Sequence, residues 1–290
     1  MNILVIGGTR FFGIHMVEAL LSMGHEVTVA TRGKAADSFA ERIKRIKVDR
    51  TDIESMKRAF DGRRYDVVFD NIAYSSNDIK SAMETVDFDK YIYMSTTAVY
   101  EPKHADTKET DFDALHRKLE WCNRNDYPYE VTKRQAECAL LQKYAHKDWI
   151  AVRYPFVIGK DDYTQRLKFY IEHAMKGMPM HIDNVDAQMG FIRSDEAGKF
   201  LAFLTDKEFC GAVNGSSGGT ISLQEILAYV EKATGKKAVL DENGEEAPYN
   251  GEPAYSINTE KARRLGFAFS ELHDWIYELV DHYIEEVGTE

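Results

Sequence analysis

The chain has 290 residues, 44% of them hydrophobic, which is enough to bury a sizeable core and too apolar for a disordered polymer. Lysine and arginine total 37 against 48 aspartates and glutamates, and the net charge of -11 gives a surface that repels the phosphate backbone of nucleic acids. Cys122, Cys138 and Cys210 lack disulfide or metal-ligand spacing, and the N-terminus lacks a leader pattern or an apolar run of membrane-spanning length, so a cytoplasmic protein without metal, membrane or nucleic-acid partner is expected.

"NILVIG" opens the chain as an apolar run, turns through "GGTRFFG" and enters the helical pattern "MVEALLSMG", which stops at Gly24. "HEVTVAT" completes a first βαβ unit by Thr31, and "RIKRIKVD", "YDVVFDNIA" and "KYIYMST" continue the strand rhythm. Stretches such as "VVF" and "YIYM" lack alternation, as central strands covered on both faces do, so the spacing predicts a doubly wound parallel sheet. "YEVTKRQAECALLQKYA" then reads as a long helix before a sixth strand, "DWIAVRYP", which Pro155 ends. A helical "RLKFYIEHAMKG", a short strand near "MPMHI" and a helix capped by Ser222 and Glu225 follow; the acidic loop "DENGEEAPYNGEP" precedes a final helical region, "SELHDWIYELVDHYIEEV". Residues 1–155 are expected to form mainly a dinucleotide-binding core, and 156–290 the remaining core elements with a small lobe.

A strand, a tight glycine turn and a helix N-terminus aim backbone N–H groups at a pyrophosphate. Gly7 allows the sharp exit, Gly13 allows close packing of helix on strand, and Arg10 stands where such turns carry a middle glycine. The second strand ends in Thr31 and Arg32 rather than in a carboxylate that would bind the ribose hydroxyls of NAD. Arg10 and Arg32 could therefore clamp a 2′-phosphate, which favours NADP(H); a solvent-facing Arg32 and NAD(H) remain the alternative. Asp49 reads equally as an adenine contact and as a loop or helix-capping aspartate.

Tyr129 and Lys133 lie four residues apart and share one face of a helix, where an ammonium can favour the phenolate. Ser95, Thr96 and Thr97 bring hydroxyls to the carboxyl end of the fifth strand, where open α/β sheets bind ligands. With the glycine turn, "STTAVY", "YEVTK", "VRYPFVIG", "FIRSDEAGKFL", "AVNGSSGGTIS" and "SINTEKARRLGF" in this order, the chain resembles the extended short-chain dehydrogenase/reductase superfamily of the NAD-dependent epimerase/dehydratase type. "GGTRF", "TRG", "DRTD" and "FDNIAY" look most like an epimerase-like reductase subgroup.

The resemblance implies a Rossmann sheet with a small C-terminal substrate-binding lobe, Tyr129 as general acid/base, Lys133 as the group that lowers its pKa and holds the nicotinamide ribose, and Thr96 as hydroxyl partner, with Ser95 and Thr97 as fallbacks. It extends the cofactor site over Gly7, Gly8, Thr9, Arg10, Phe11, Phe12 and Gly13 in the turn. Arg32, Asp49, Ala73, Ser95, Lys133, Tyr154 and Pro155 complete it, Pro155 reading equally as a strand terminator. The chain departs from dehydratases in having Thr97 and Ala98 after Thr96, and from nucleotide-sugar epimerases in having Phe156 and Met189 where those carry an asparagine and an arginine. Arg153, Arg166, Lys168 and Arg193 are the basic residues that could compensate. The expected function is hydride transfer between a nicotinamide cofactor and a small carbonyl or alcohol substrate, sugar-derived or otherwise, by an oxidoreductase or epimerase. A cofactor-sensing or RNA-binding member with little turnover is the alternative, and a homodimer through the long helices flanking the tyrosine is an expectation of the resemblance.

Overall fold

A computed structural model describes residues 1–34 and 37–289. Strands β1 (Asn2–Ile6), β2 (Glu26–Thr31), β3 (Lys44–Lys47), β4 (Arg64–Asp70), β5 (Asp87–Met94) and β6 (Asp148–Arg153) fall on the six apolar runs of the sequence. Three short strands follow, β7 (Phe156–Ile158), β8 (Pro179–His181) and β9 (Phe191–Arg193), before β10 (Gly211–Asn214) returns to the main sheet. The seven-stranded sheet has the order β10-β6-β5-β4-β1-β2-β3, and its neighbouring strands all run parallel. The strand order reverses at β1, which lies between β4 and β2, and this is where ligands bind in doubly wound sheets.

Alternate residues of each central strand feed opposite layers. Ile3 and Val5 join Met16, Val17 and Leu20 of α1 (Phe12–Ser22) on one face, whereas Leu4 and Ile6 join residues of α2 (Ile53–Phe60), α3 (Ser76–Thr85) and α4 (Tyr129–Lys143) on the other. All these strand residues are fully buried, which accounts for the missing polar alternation in the sequence. A fifth and a sixth helix, α5 (Arg166–Lys176) and α6 (Ser194–Phe203), lie in the second half, and α6 leaves the lobe to pack on α1.

The lobe has its own core, in which α5, α7 (Leu223–Thr234) and α9 (Ile276–Thr289) enclose Tyr170, Phe191, Ile226 and Tyr283, while α8 (Glu260–Arg264) lies against β10. Ser222 and Glu225 form the capping box that their spacing predicts. The acidic tract is not wholly loop. Glu245–Glu246 (β12) and Val239–Leu240 (β11) flank β8 in a three-stranded parallel sheet, a pairing too short to leave a periodic signal.

Helix α4 is buried at every position from 132 to 140. Its outward side is covered by the segment 101–127: Gln142 donates to the carbonyls of Ala114 and Arg117, and Gln135 exchanges hydrogen bonds with the backbone of Lys118 and Glu120. Phe112 and Ala114 pack on Cys138 in a small satellite core. The helix expected to pair with a second subunit is thus roofed by its own chain.

Candidate active site

The glycine turn adopts conformations that its residues predict only in part. Gly7 and Gly8 have φ of 85° and 114°, and a Cβ on Gly8 would lie 2.7 Å from Val5 Cγ1. A Cβ on Gly13 would lie 2.5 Å from Gly8 Cα, so only glycine lets α1 start this close to β1. Phe11, immediately before α1, also has positive φ, 55°, and gives the helix no side-chain cap; no acidic residue occupies the first turn. The N-terminal N–H groups and the positive end of the helix dipole consequently face a groove of ≈ 510 Å³. Asn71 lines its floor, and its buried Nδ2 has no partner among the described residues. Open helix donors, the close glycine approach and this orphaned amide all fit an anionic dinucleotide.

At the other end of the groove, Tyr129 and Lys133 emerge from the first turns of α4 beside the ends of β4 and β5. Lys133 is buried and donates to the carbonyls of Ala73 (2.8 Å) and Met94 (2.7 Å). An ammonium has three N–H donors, so one remains for a ligand. Burial lowers its pKa to about 7 against the opposing pull of Asp70, Asp78 and Glu137. Tyr129 keeps 46% of its surface open, yet desolvation of its hydroxyl end pushes the phenol up to about 12, while hydrogen bonding with Thr96 acts downward. Lys133 Nζ is 5.8 Å from the centroid of the Tyr129 ring, and its two hydrogen bonds go to the backbone.

The neighbouring hydroxyls are separated by their partners. Ser95 donates to Glu137 (2.5 Å), which is also gripped by the buried Arg153, and Thr97 hydrogen-bonds Tyr255. Thr96 is the hydroxyl of the three beside the phenol. Beneath the groove, Arg50 is buried in ion pairs with Asp70 and Asp78, and Tyr91 donates to Asp70. Asp78 accepts in turn from the backbone of Tyr74 and Ser75. This network compensates the buried charge at the β4 end.

The profile of the family described as "NAD dependent epimerase/dehydratase family" matches residues 3–211, more than half of the chain. The chain belongs to this family. Two solved relatives share its fold over nearly all of both chains: UDP-glucose 4-epimerase of Thermus thermophilus in complex with NAD (20% identity, 98% of this chain and 99% of that one, TM-score 0.74), and UDP-glucose 4-epimerase of Thermotoga maritima with UDP-glucose (19%, 99% and 100%, TM-score 0.77). UDP-glucuronic acid 4-epimerase of Bacillus cereus, with UDP-glucuronic acid and NAD, matches at 20% identity over 99% and 100%, with TM-score 0.73. A curated relative, the "chloroplast stem-loop binding protein of 41 kDa b" of Arabidopsis thaliana, is 25% identical over 229 residues, which span 71% of this chain and 56% of that protein.

Within this member of the NAD-dependent epimerase/dehydratase family, the groove gathers residues 7–13, Arg32, Asp49, Ser95, Tyr129 and Lys133, while Ala73 contributes its carbonyl to Lys133. Tyr154 lies elsewhere. It is 2% exposed, donates to the Ala197 carbonyl and packs between Phe12 and Phe200, so its ring belongs to the core; Pro155 is buried between β6 and β7. Asp49 lines the groove with one oxygen tied to Thr51, and Asp52, not Asp49, caps α2.

Arg10 and Arg32 are directed differently. Arg10 leans on Tyr163 of the segment after β7, 5.8 Å from its ring centroid, whereas Arg32 stands beside Lys34 at the β2–β3 side of the groove. Of the basic residues that could replace a missing phosphate grip, Arg153 is committed to Glu137, Lys168 to Glu286 and Arg193 to Asp195; Arg166 stacks on Phe156 at 5.6 Å. Two further residues, Tyr74 and Arg124, line the Tyr129 end of the groove. Tyr74 meets Tyr129 edge-on at 5.9 Å and carries Arg124 on its ring at 4.7 Å. "FDNIAY" hinted at the first, but Arg124 comes from the roofing segment and no local pattern marks it.

Proposed function

We propose that the protein moves hydride between a nicotinamide dinucleotide, NADP(H) in preference to NAD(H), and a small carbonyl or alcohol substrate, with Thr96, Tyr129 and Lys133 handling the proton. The observation that carries this reading is the placement of Tyr129 and Lys133 at one end of a groove whose other end is an open helix N-terminus, with Thr96 hydrogen-bonded to the Tyr129 phenol. The dinucleotide, when bound, supplies the hydride donor or acceptor. With its pKa raised to about 12, Tyr129 is protonated at neutral pH and poised to donate to a substrate oxygen as that oxygen gains charge. In the oxidative direction Thr96 helps stabilise the phenolate, and the remaining N–H of Lys133 orients a ribose hydroxyl next to it.

The substrate proposed is compact, sugar-derived or otherwise, rather than a nucleotide-sugar. Phe156 packs on Tyr249 at 4.5 Å and Met189 is buried, so neither offers a charge-assisted phosphate contact. The described helices include none long and apolar enough to cross a membrane, and we place the protein in the cytoplasm within the epimerase-like reductase subgroup.

Reduction of a panel of small aldehydes and ketones, followed by NADPH oxidation, tests the chemistry. Tyr129→Phe should lower kcat by about 10²-fold or more while leaving the cofactor dissociation constant nearly unchanged. An intact rate would remove Tyr129 from the mechanism. The name of the Arabidopsis relative favours a second reading, RNA binding with little turnover, against which the net charge of -11 weighs. Micromolar binding of a stem-loop RNA that weakens steeply with salt, together with no turnover on the panel, would select it.

A further inference from the structure

Beyond Arg32 the groove continues into a recess bordered by Lys34, Lys47 at the end of β3, and Arg58 on α2, with Asp49 and Ser55 between them. Arg32, Lys34 and Asp49 border both spaces, so the recess is an extension of the β2–β3 side of the groove. Four cations meet one carboxylate there, and one oxygen of that carboxylate is already engaged by Thr51.

The neighbouring cations behave otherwise. On β3, Lys44 pairs with Glu26 and Arg45 with Asp37; on α2, Lys57 pairs with Glu54. Arg42 and Arg64, just outside these elements, pair with Glu18 and with Asp87 and Asp89. Among the described residues, Arg32, Lys34, Lys47 and Arg58 have no such ion pair. In a chain with eleven more acidic than basic side chains, four like charges left together at the end of a dinucleotide groove repel one another until an anion joins them.

We propose that Lys47 and Arg58 complete, with Arg32 and Lys34, a recess for a phosphate monoester at the adenosine end of the groove. A dianionic group is better matched to four cations than a carboxylate, and a 2′-phosphate on the adenosine ribose would bring it there covalently joined to the dinucleotide. Arg10, turned toward Tyr163, is replaced in this role by residues of β3 and α2. The assignment rests on the NADP(H) reading above and sharpens it, because it assigns the discrimination to two residues outside the glycine turn and the β2 end.

Calorimetric titration of NADPH and NADH into wild type, Lys47→Ala, Arg58→Ala and the double variant tests it without requiring turnover. Each single variant should weaken NADPH about tenfold, ~1.4 kcal/mol, and leave NADH within about twofold. Both side chains are exposed, and an unchanged NADH affinity verifies that the groove is intact. Lys47→Arg and Arg58→Lys should retain most of the NADPH affinity. Competition by 2′-AMP, but not by 5′-AMP or inorganic phosphate at equal concentration, should be lost in the double variant; phosphate competing as well as 2′-AMP would mean a free-anion site and overturn the covalent attachment proposed. Tighter NADH than NADPH binding by wild type would overturn the cofactor reading and this assignment with it. A wild-type preference for NADPH that the double variant retains would overturn this assignment alone.

Discussion

Lys133 shows how far a residue's spacing can be read and where reading stops. Four residues from Tyr129 on a helix, its proximity to the phenol follows from helix geometry alone. Its two carbonyl acceptors come from the ends of β4 and β5, and no local pattern reveals the burial that holds the lysine well below its ordinary value. The folded state releases the Lys133 proton near pH 7, the unfolded chain near ~10.4. Between those values unfolding takes up a proton, so this group's cost to stability diminishes as pH rises. Wild type should therefore gain on Lys133→Met across that window, with a slope of at most about 1.4 kcal/mol per pH unit, in urea denaturation at several pH values. Parallel pH profiles would refute the depressed lysine. The direction of Arg10 was hidden for a related reason, since Tyr163, on which it rests, belongs to a distant segment of the chain.

At the scale of elements, the central strands were legible because burial on both faces leaves continuous apolar runs, and α4 and α7 because their length or caps announce them. The return of α6 and β10 to the Rossmann half was legible only as a resemblance, since nothing local says which core a short apolar segment joins. The same holds for the approach of α6 to α1. A Cβ on Gly198 would lie 2.6 Å from Met16 N and 2.7 Å from the Phe12 carbonyl, so the two helices touch at backbone distance. Gly198→Ala should cost on the order of 1–3 kcal/mol in thermal or urea unfolding by forcing α1 away. Because α1 carries the glycine turn at its N-terminus, the same variant should weaken dinucleotide binding, although residue 198 is not part of the groove. Unaltered stability would mean that the helices separate without penalty.

For the whole molecule, the segment 101–127 decides more than its irregular composition suggests. It occupies the side of α4 that an intersubunit helix pairing would need, and sedimentation velocity at micromolar concentration should accordingly give the mass of one chain. A dimer mass would mean that pairing uses another face or displaces the segment. The same stretch reaches the lobe: Lys103 pairs with Glu252, Asp106 accepts from Asn258, and Thr107 bridges to Ile257. Helix α4 and the lobe are therefore fastened by one common strip of chain rather than only by direct packing on each other. Protease sensitivity within that strip would act as a clock for their joint opening, slowing when a ligand draws the two sides of the groove together and reporting occupancy even for a substrate that is never turned over.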